Sequence, residues 1–201
     1  MKYVEIVVVT ALITLLGACA GTTEPKKTIS VSPGQKFTGS YINVAAPNSN
    51  GWQLIQSSSS GMAFSKLGET AEETFGAQVQ KFSLAPTTTL EELEALIKQS
   101  VDKDTNRSRF DVQQSYFSHT SERKYPCITH HSIVQDKAPI GVNGPLRLEA
   151  HGLYCRHPKQ PETGFAIIYS HRGKEAYPNL LTEAVSFIQS VQVEGFETSA
   201  K

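Results

Sequence analysis

The chain has 201 residues with 19 basic and 19 acidic side chains, so it is long enough to bury a real core and carries no net charge. No basic stripe runs through it, which excludes nucleic acid as the expected partner. Local positive charge at Arg107, Arg109, Arg123 and Lys124 reads as a solvated face.

The amino terminus has the order of a signal peptide. Lys2 supplies a positive charge, Ile6 to Leu16 is almost wholly apolar, and Leu16-Gly17-Ala18 puts small residues before Cys19. The apolar run is 11 residues, whereas a helix crossing the bilayer core needs roughly 20. Leu16-Gly17-Ala18-Cys19 also resembles the lipobox of bacterial lipoproteins. That resemblance implies cleavage before Cys19, a diacylglycerol on its sulfur and an acylated new terminus, so that the membrane is reached through lipid without being spanned. Ala20 stands where the inner-membrane retention signal has Asp, which points to a cell-envelope protein on the periplasmic face of the outer membrane, where the source has one. The organisation expected is signal peptide over 1–18, flexible tether over 19–35 with Pro25 and Pro33, and one globular domain over 36–197.

The domain opens β-rich. Phe37 to Val44 reads as a strand, Pro47-Asn48-Ser49-Asn50-Gly51 as a turn, and Trp52 to Gln56 and Met62 to Leu67 as arms of a hairpin around Ser57 to Gly61. The four serines there read as a solvated turn, not as a nucleophile. Phe75 to Leu84 is a further strand. Thr89 with Glu92 three residues on is a capping box, and Leu90, Leu93, Ile97 and Val101 make one apolar helical face. Strands follow at about Phe110 to Ser118, Tyr125 to Gln135, Leu146 to Arg156 and Gly164 to His171. A second helix over Leu180 to Val193 is expected to turn Leu181, Ala184, Val185, Ile188 and Val191 to the core. Runs of strands with two separated helices predict an α+β domain, a mostly antiparallel twisted sheet packed by two helices.

With Cys19 consumed by lipidation, Cys127 and Cys155 are left in an oxidising compartment. The turn-rich segment between their strands folds symmetrically about Gly141, which sets Cys127 opposite Cys155 at disulfide distance. The same register sets His131 opposite His151 on the face of the cysteines, with His130 on the other face. Two imidazoles are candidate ligands for Zn²⁺ or Cu²⁺, but a tight site needs three or four. No third ligand is evident, so a cross-strand aromatic-like pair is the default, and no metal or other cofactor is expected. His119, His157 and His171 fall near strand ends, where surface placement is the default.

The order of elements, with Gly51-Trp52 ahead of an early hairpin, then a helix, a meander and a closing helix, resembles the PsbP-like group over roughly residues 40 to 195. The resemblance implies action by binding or assembling other proteins, and it carries over no site residues. No Gly-x-Ser-x-Gly, His-Glu-x-x-His or phosphate-binding loop occurs in the sequence. A non-catalytic envelope lipoprotein binding a partner protein is therefore the leading expectation. A small-ligand or metal-binding periplasmic module and an uncharacterised hydrolase are the alternatives.

Overall fold

The computed structural model describes residues 28–39 and 42–193. The signal peptide, Cys19, most of the tether and residues 194–197 lie outside the described residues. In chain order the elements are β1 (Ile29–Ser30), β2 (Lys36–Thr38), β3 (Ile42–Ala45), β4 (Gln53–Ser58), β5 (Gly61–Leu67), β6 (Thr74–Ser83), α1 (Leu90–Asp104), β7 (Phe110–Thr120), β8 (Cys127–Asp136), β9 (Leu146–His157), β10 (Gln160–Gly173), α2 (Leu180–Ser190) and β11 (Gln192–Val193).

Two antiparallel meanders build the main sheet. β4, β5 and β6 form one, β7 to β10 the other, and β10 returns antiparallel to β6, giving the order β1-β4-β5-β6-β10-β9-β8-β7. A small sheet, β11-β3-β2, lies apart from it. The α+β expectation holds, with a helix on each face.

Side-chain alternation divides the core in two. Odd-numbered residues of β8 to β10, among them Cys127, Leu153, Cys155, Phe165, Ile167 and Tyr169, pack with α2, β3 and β11 around Trp52 and Phe64. Even-numbered residues, among them Ile128, Ala150, Tyr154, Ala166 and Ile168, pack under Leu93 and Ile97 of α1. Trp52 is buried, and its indole N–H donates to Ser49 Oγ at 2.9 Å, so the ring enters the core with its donor satisfied. Just before it, Gly51 adopts φ +89°, a turn conformation that side chains disfavour.

Several local expectations are corrected. Phe37 to Val44 is not one strand: the chain reverses after Gly39, whose N–H donates to Ile42 O, and β2 pairs back on β3. Residues expected in the tether are docked, since Ile29–Ser30 pairs with β4 and Val31 is buried with its N–H on Trp52 O. On α2 the buried residues are Leu180, Ala184 and Phe187, followed by Val191, while Leu181 (58% exposed) and Val185 (42%) face out. Ala184, Val191 and, partly buried, Ile188 meet the core as expected, so the inward face is rotated by only part of a turn. Phe187 sets the phase, lodged against Phe64 and Tyr169 with ring centroids 6.3 and 6.0 Å away.

His157 and His171 are buried, not superficial. Arg109 and Arg123 are also built in: Arg109 holds buried Asp136 through two hydrogen bonds of 2.8 and 2.7 Å, and Arg123 donates to Ile188 O and Val191 O at the end of α2.

Candidate functional site

The β8–β9 hairpin has the register expected from its symmetry: Cys127 pairs with Cys155 and His131 with His151. The two cysteine sulfurs are 2.01 Å apart, a disulfide within the buried core on the α2 side. Gly141 (φ +75°) and Gly144 (φ +85°) let the connecting loop turn.

Four residues along the hairpin the same face carries a row of rings. Tyr116 on β7 opposes His131, His131 opposes His151, and His151 opposes Tyr169 on β10. The row runs from an exposed tyrosine at the sheet edge to a fully buried one under α2. The two imidazoles stack 4.4 Å apart with planes 5° from parallel. Two positions along β9, Glu149 reaches them diagonally, and its Oε1 lies 2.9 Å from His131 Nε2 and 3.8 Å from His151 Nε2. Its other oxygen accepts from Arg147 Nη2 at 2.6 Å.

Electrostatics favour a charged Glu149 carboxylate and a neutral His151. Burial works to raise the Glu149 carboxyl, but the bonds from Arg147 and His131 outweigh it and leave it below the usual range. Burial lowers His151, the nearby His131 lowers it further, and Glu149 partly opposes them. His131 and His151 are candidates from the sequence; Glu149 is an addition from the structure. Its position two residues from His151 puts it on the same strand face, a signal available from strand periodicity.

The row next to this one leads to a cleft. Glu149 opposes His171, His171 opposes Phe75, and Phe75 opposes Lys66. An open cleft of about 640 Å³ lies between the β5–β6 loop and the chain after β10, over Phe75, His171 and Tyr177 and rimmed by Lys66, Glu69, Glu72 and Lys174. His131 and His151 are not in its walls. In its floor His171 Nε2 meets Glu73 Oε1 at 2.9 Å, and His171 Nδ1 is buried without a hydrogen-bond partner. The bond from the Glu69 N–H, then His171, hold the Glu73 carboxyl below the usual range. Tyr169 and Tyr177 hydroxyls both donate to Glu183 of α2, and burial followed by that carboxylate raises both phenols.

One serine–histidine contact bears on hydrolase chemistry. Ser115 Oγ lies 3.1 Å from His130 Nε2 on the α1 face. The His130 ring stacks on Phe117 at 4.1 Å, and burial, with His131 and His151 nearby, pushes it down to about 4. Burial and two imidazoles act on it with no carboxylate to offset them, so it is a poor general base near neutral pH. The serines of the β4–β5 turn bond to each other, Ser58 Oγ to Ser60 Oγ at 2.9 Å.

No family model matches the chain. No curated protein matches it either. Among solved structures it is similar to the Ran-binding protein Mog1p of Saccharomyces cerevisiae, at 11% identity and a TM-score of 0.41, covering 76% of this chain and 89% of that one. No residue role is carried across from that protein.

Proposed function

We propose that the chain is a cell-envelope lipoprotein, held to its membrane by lipid on Cys19, whose domain is a non-catalytic module that binds a partner protein through the cleft. Leu16-Gly17-Ala18-Cys19 supports the anchor, and Ala20 supports an outer-membrane address. The resemblance of the element order to that of the PsbP-like group is compatible with a binding role.

The observation that carries the binding is the cleft. Small-molecule sites are mostly apolar and enclosed. This one is open, with an aromatic floor at Phe75 and Tyr177 and charges of both signs around it. That suits a protruding polar segment of another protein, anchored by a ring or alkyl group between charged contacts. The main sheet and α2 supply a stiff frame, with Lys66 Nζ held 4.4 Å over the Phe75 ring.

The test places a photo-crosslinking amino acid at Leu67, 72% exposed on the cleft lip, and at Gln99, exposed on the outside of α1. The expected result in the native envelope is one protein adduct from the Leu67 position, reduced by Lys174→Glu, and none from Gln99. Equal adducts from both positions, or none, would count against the cleft as the interface. A small-ligand reading of the same cleft is favoured by the unpartnered Nδ1 of His171 in its floor, and retention of a co-purifying small molecule by the wild type but not by His171→Phe would select it. Cys19→Ser tests the anchor: it should release a soluble or unprocessed form, and an unlipidated wild-type chain beginning at Met1 would sink that part.

A further inference from the structure

We propose that His131, Glu149 and His151 form a binding site for a divalent transition-metal ion of borderline softness, Zn²⁺ or Cu²⁺. The site is separate from the cleft and does not depend on the cleft's role.

Three ligands converge. Each residue offers one ligand atom, and all three atoms lie within 4.8 Å of one another. A tetrahedral Zn²⁺ with ligands about 2.1 Å away holds them roughly 3.4 Å apart. The Glu149 oxygen stands at 2.9 Å from one imidazole nitrogen and 3.8 Å from the other, on either side of that value. Imidazole nitrogens with one carboxylate suit Zn²⁺ and Cu²⁺ better than the hard ions, which prefer all-oxygen shells.

The ligands are held by backbone rather than by loops. His131 and His151 are directly paired on adjacent antiparallel strands, locked by the ladder, with the disulfide four residues along the same two strands. Arg147 grips Glu149 Oε2 and leaves Oε1 turned to the imidazoles, as an outer partner orients a ligating carboxylate. Side-chain exposures of 32% for His131 and 16% for His151 leave water access to complete the coordination shell.

Two features limit affinity. The stacked rings lie nearly parallel, so both must tilt to aim their lone pairs at one ion, and His131 must give up its bond to Glu149. The Arg147 guanidinium adds a repelling charge nearby. Micromolar binding is expected, without control over folding. The competing account is a hydrogen-bonded cluster of two rings and a carboxylate that binds no ion.

The experiment titrates the full chain with ZnCl₂ by calorimetry. One ion per chain is expected, weakened at least about tenfold by Glu149→Gln and by His131→Asn or His151→Asn. His119→Asn should leave it unchanged, because that imidazole sits on β7 against Glu94. A second measurement needs no variant: substoichiometric Cu²⁺ should broaden wild-type amide signals around residues 131, 149 and 151 first. Affinity equal in wild type and all three variants, absence of binding, or broadening centred elsewhere would overturn the site.

Discussion

The two helices cover opposite faces of one sheet and are held there by different means. α1 is specified locally: Thr89 Oγ1 accepts from the Glu92 N–H at 3.2 Å, and Glu92 Oε2 accepts in return from the backbone of Thr88 and Thr89. α2 has no side-chain cap at Asn179. Pro178-Asn179 marks its start without a capping bond, and its end is held from outside by Arg123, whose guanidinium caps Ile188 O and Val191 O. Both helices can be placed along the chain from the sequence, α2 opening at Leu180 as expected, but the face that α2 turns inward is set by tertiary contacts.

The largest expected effect tests the phase of α2. Phe187→Ala empties a fully buried site against Phe64 and Tyr169 and should cost about 3–5 kcal/mol. Leu181→Ala, on the exposed side of the same helix, should change stability by less than about 0.5 kcal/mol. Urea unfolding of both variants checks this, and comparable losses would restore the phase read from periodicity.

The second prediction concerns the α1 face, where His130 is kept neutral. Its folded pKa is pushed down to about 4, while an unfolded histidine titrates near 6.5. As pH falls below ~6.5 the unfolded chain takes up a proton first, so stability drops until pH reaches the folded value and then no further from this group. The loss should be on the order of 3 kcal/mol between neutral pH and pH 4. His130→Gln keeps a partner for Ser115 and should remove that part of the pH dependence in urea midpoints measured from pH 7 to 4. Parallel wild-type and variant curves would show that the ring protonates freely in the fold.

Arg123 comes third. Its two bonds to the carbonyls at the end of α2 are charge-assisted and partly buried, and Arg123→Ala should cost about 1.5–3 kcal/mol. Hydrogen exchange of the last turn of α2 should accelerate in this variant, with α1 unaffected. Acceleration spread evenly over both helices would mean global destabilisation and not loss of a cap.

How much the sequence reveals follows the same division. The hairpin register is legible because loop symmetry about Gly141 and side-chain alternation are local, and together they place His131 against His151. α1 is legible through its capping box. The phase of α2 is legible only in part: Ala184, Ile188 and Val191 meet the core as expected, but Leu180 and Leu181 are equally apolar and only the depth of the Phe187 pocket chooses between them. Places near strand ends suggest the surface for His157 and His171, yet both are buried; His171 is covered by β6 and Tyr177, the first of them remote in sequence. Arg109 and Arg123 escape a local reading for the same reason, their partners being 27 and more than 60 residues away. Glu149 lies within reach of strand periodicity, which marks its face but not its diagonal reach to two rings on that face.

The smallest expected effect addresses the caps themselves. Thr89→Ala removes the acceptor for the Glu92 N–H while leaving in place the backbone N–H groups that donate to Glu92, which should cost about 1 kcal/mol. Asn179→Ala removes no capping hydrogen bond at the corresponding position of α2 and should cost only a few tenths of a kcal/mol from the weaker cap preference. The difference is small, so it is best read as a pair of urea midpoints at one pH, with Thr89→Ser as a control that restores the acceptor. The Glu92 carboxyl is held below the usual carboxylate range, first by the Thr88 N–H, so the cap is complete at neutral pH. Equal costs for Thr89→Ala and Asn179→Ala would mean that packing on Leu93 and Ile97 alone places α1, as Phe187 places α2, and that the capping box read in the sequence marks the helix without holding it.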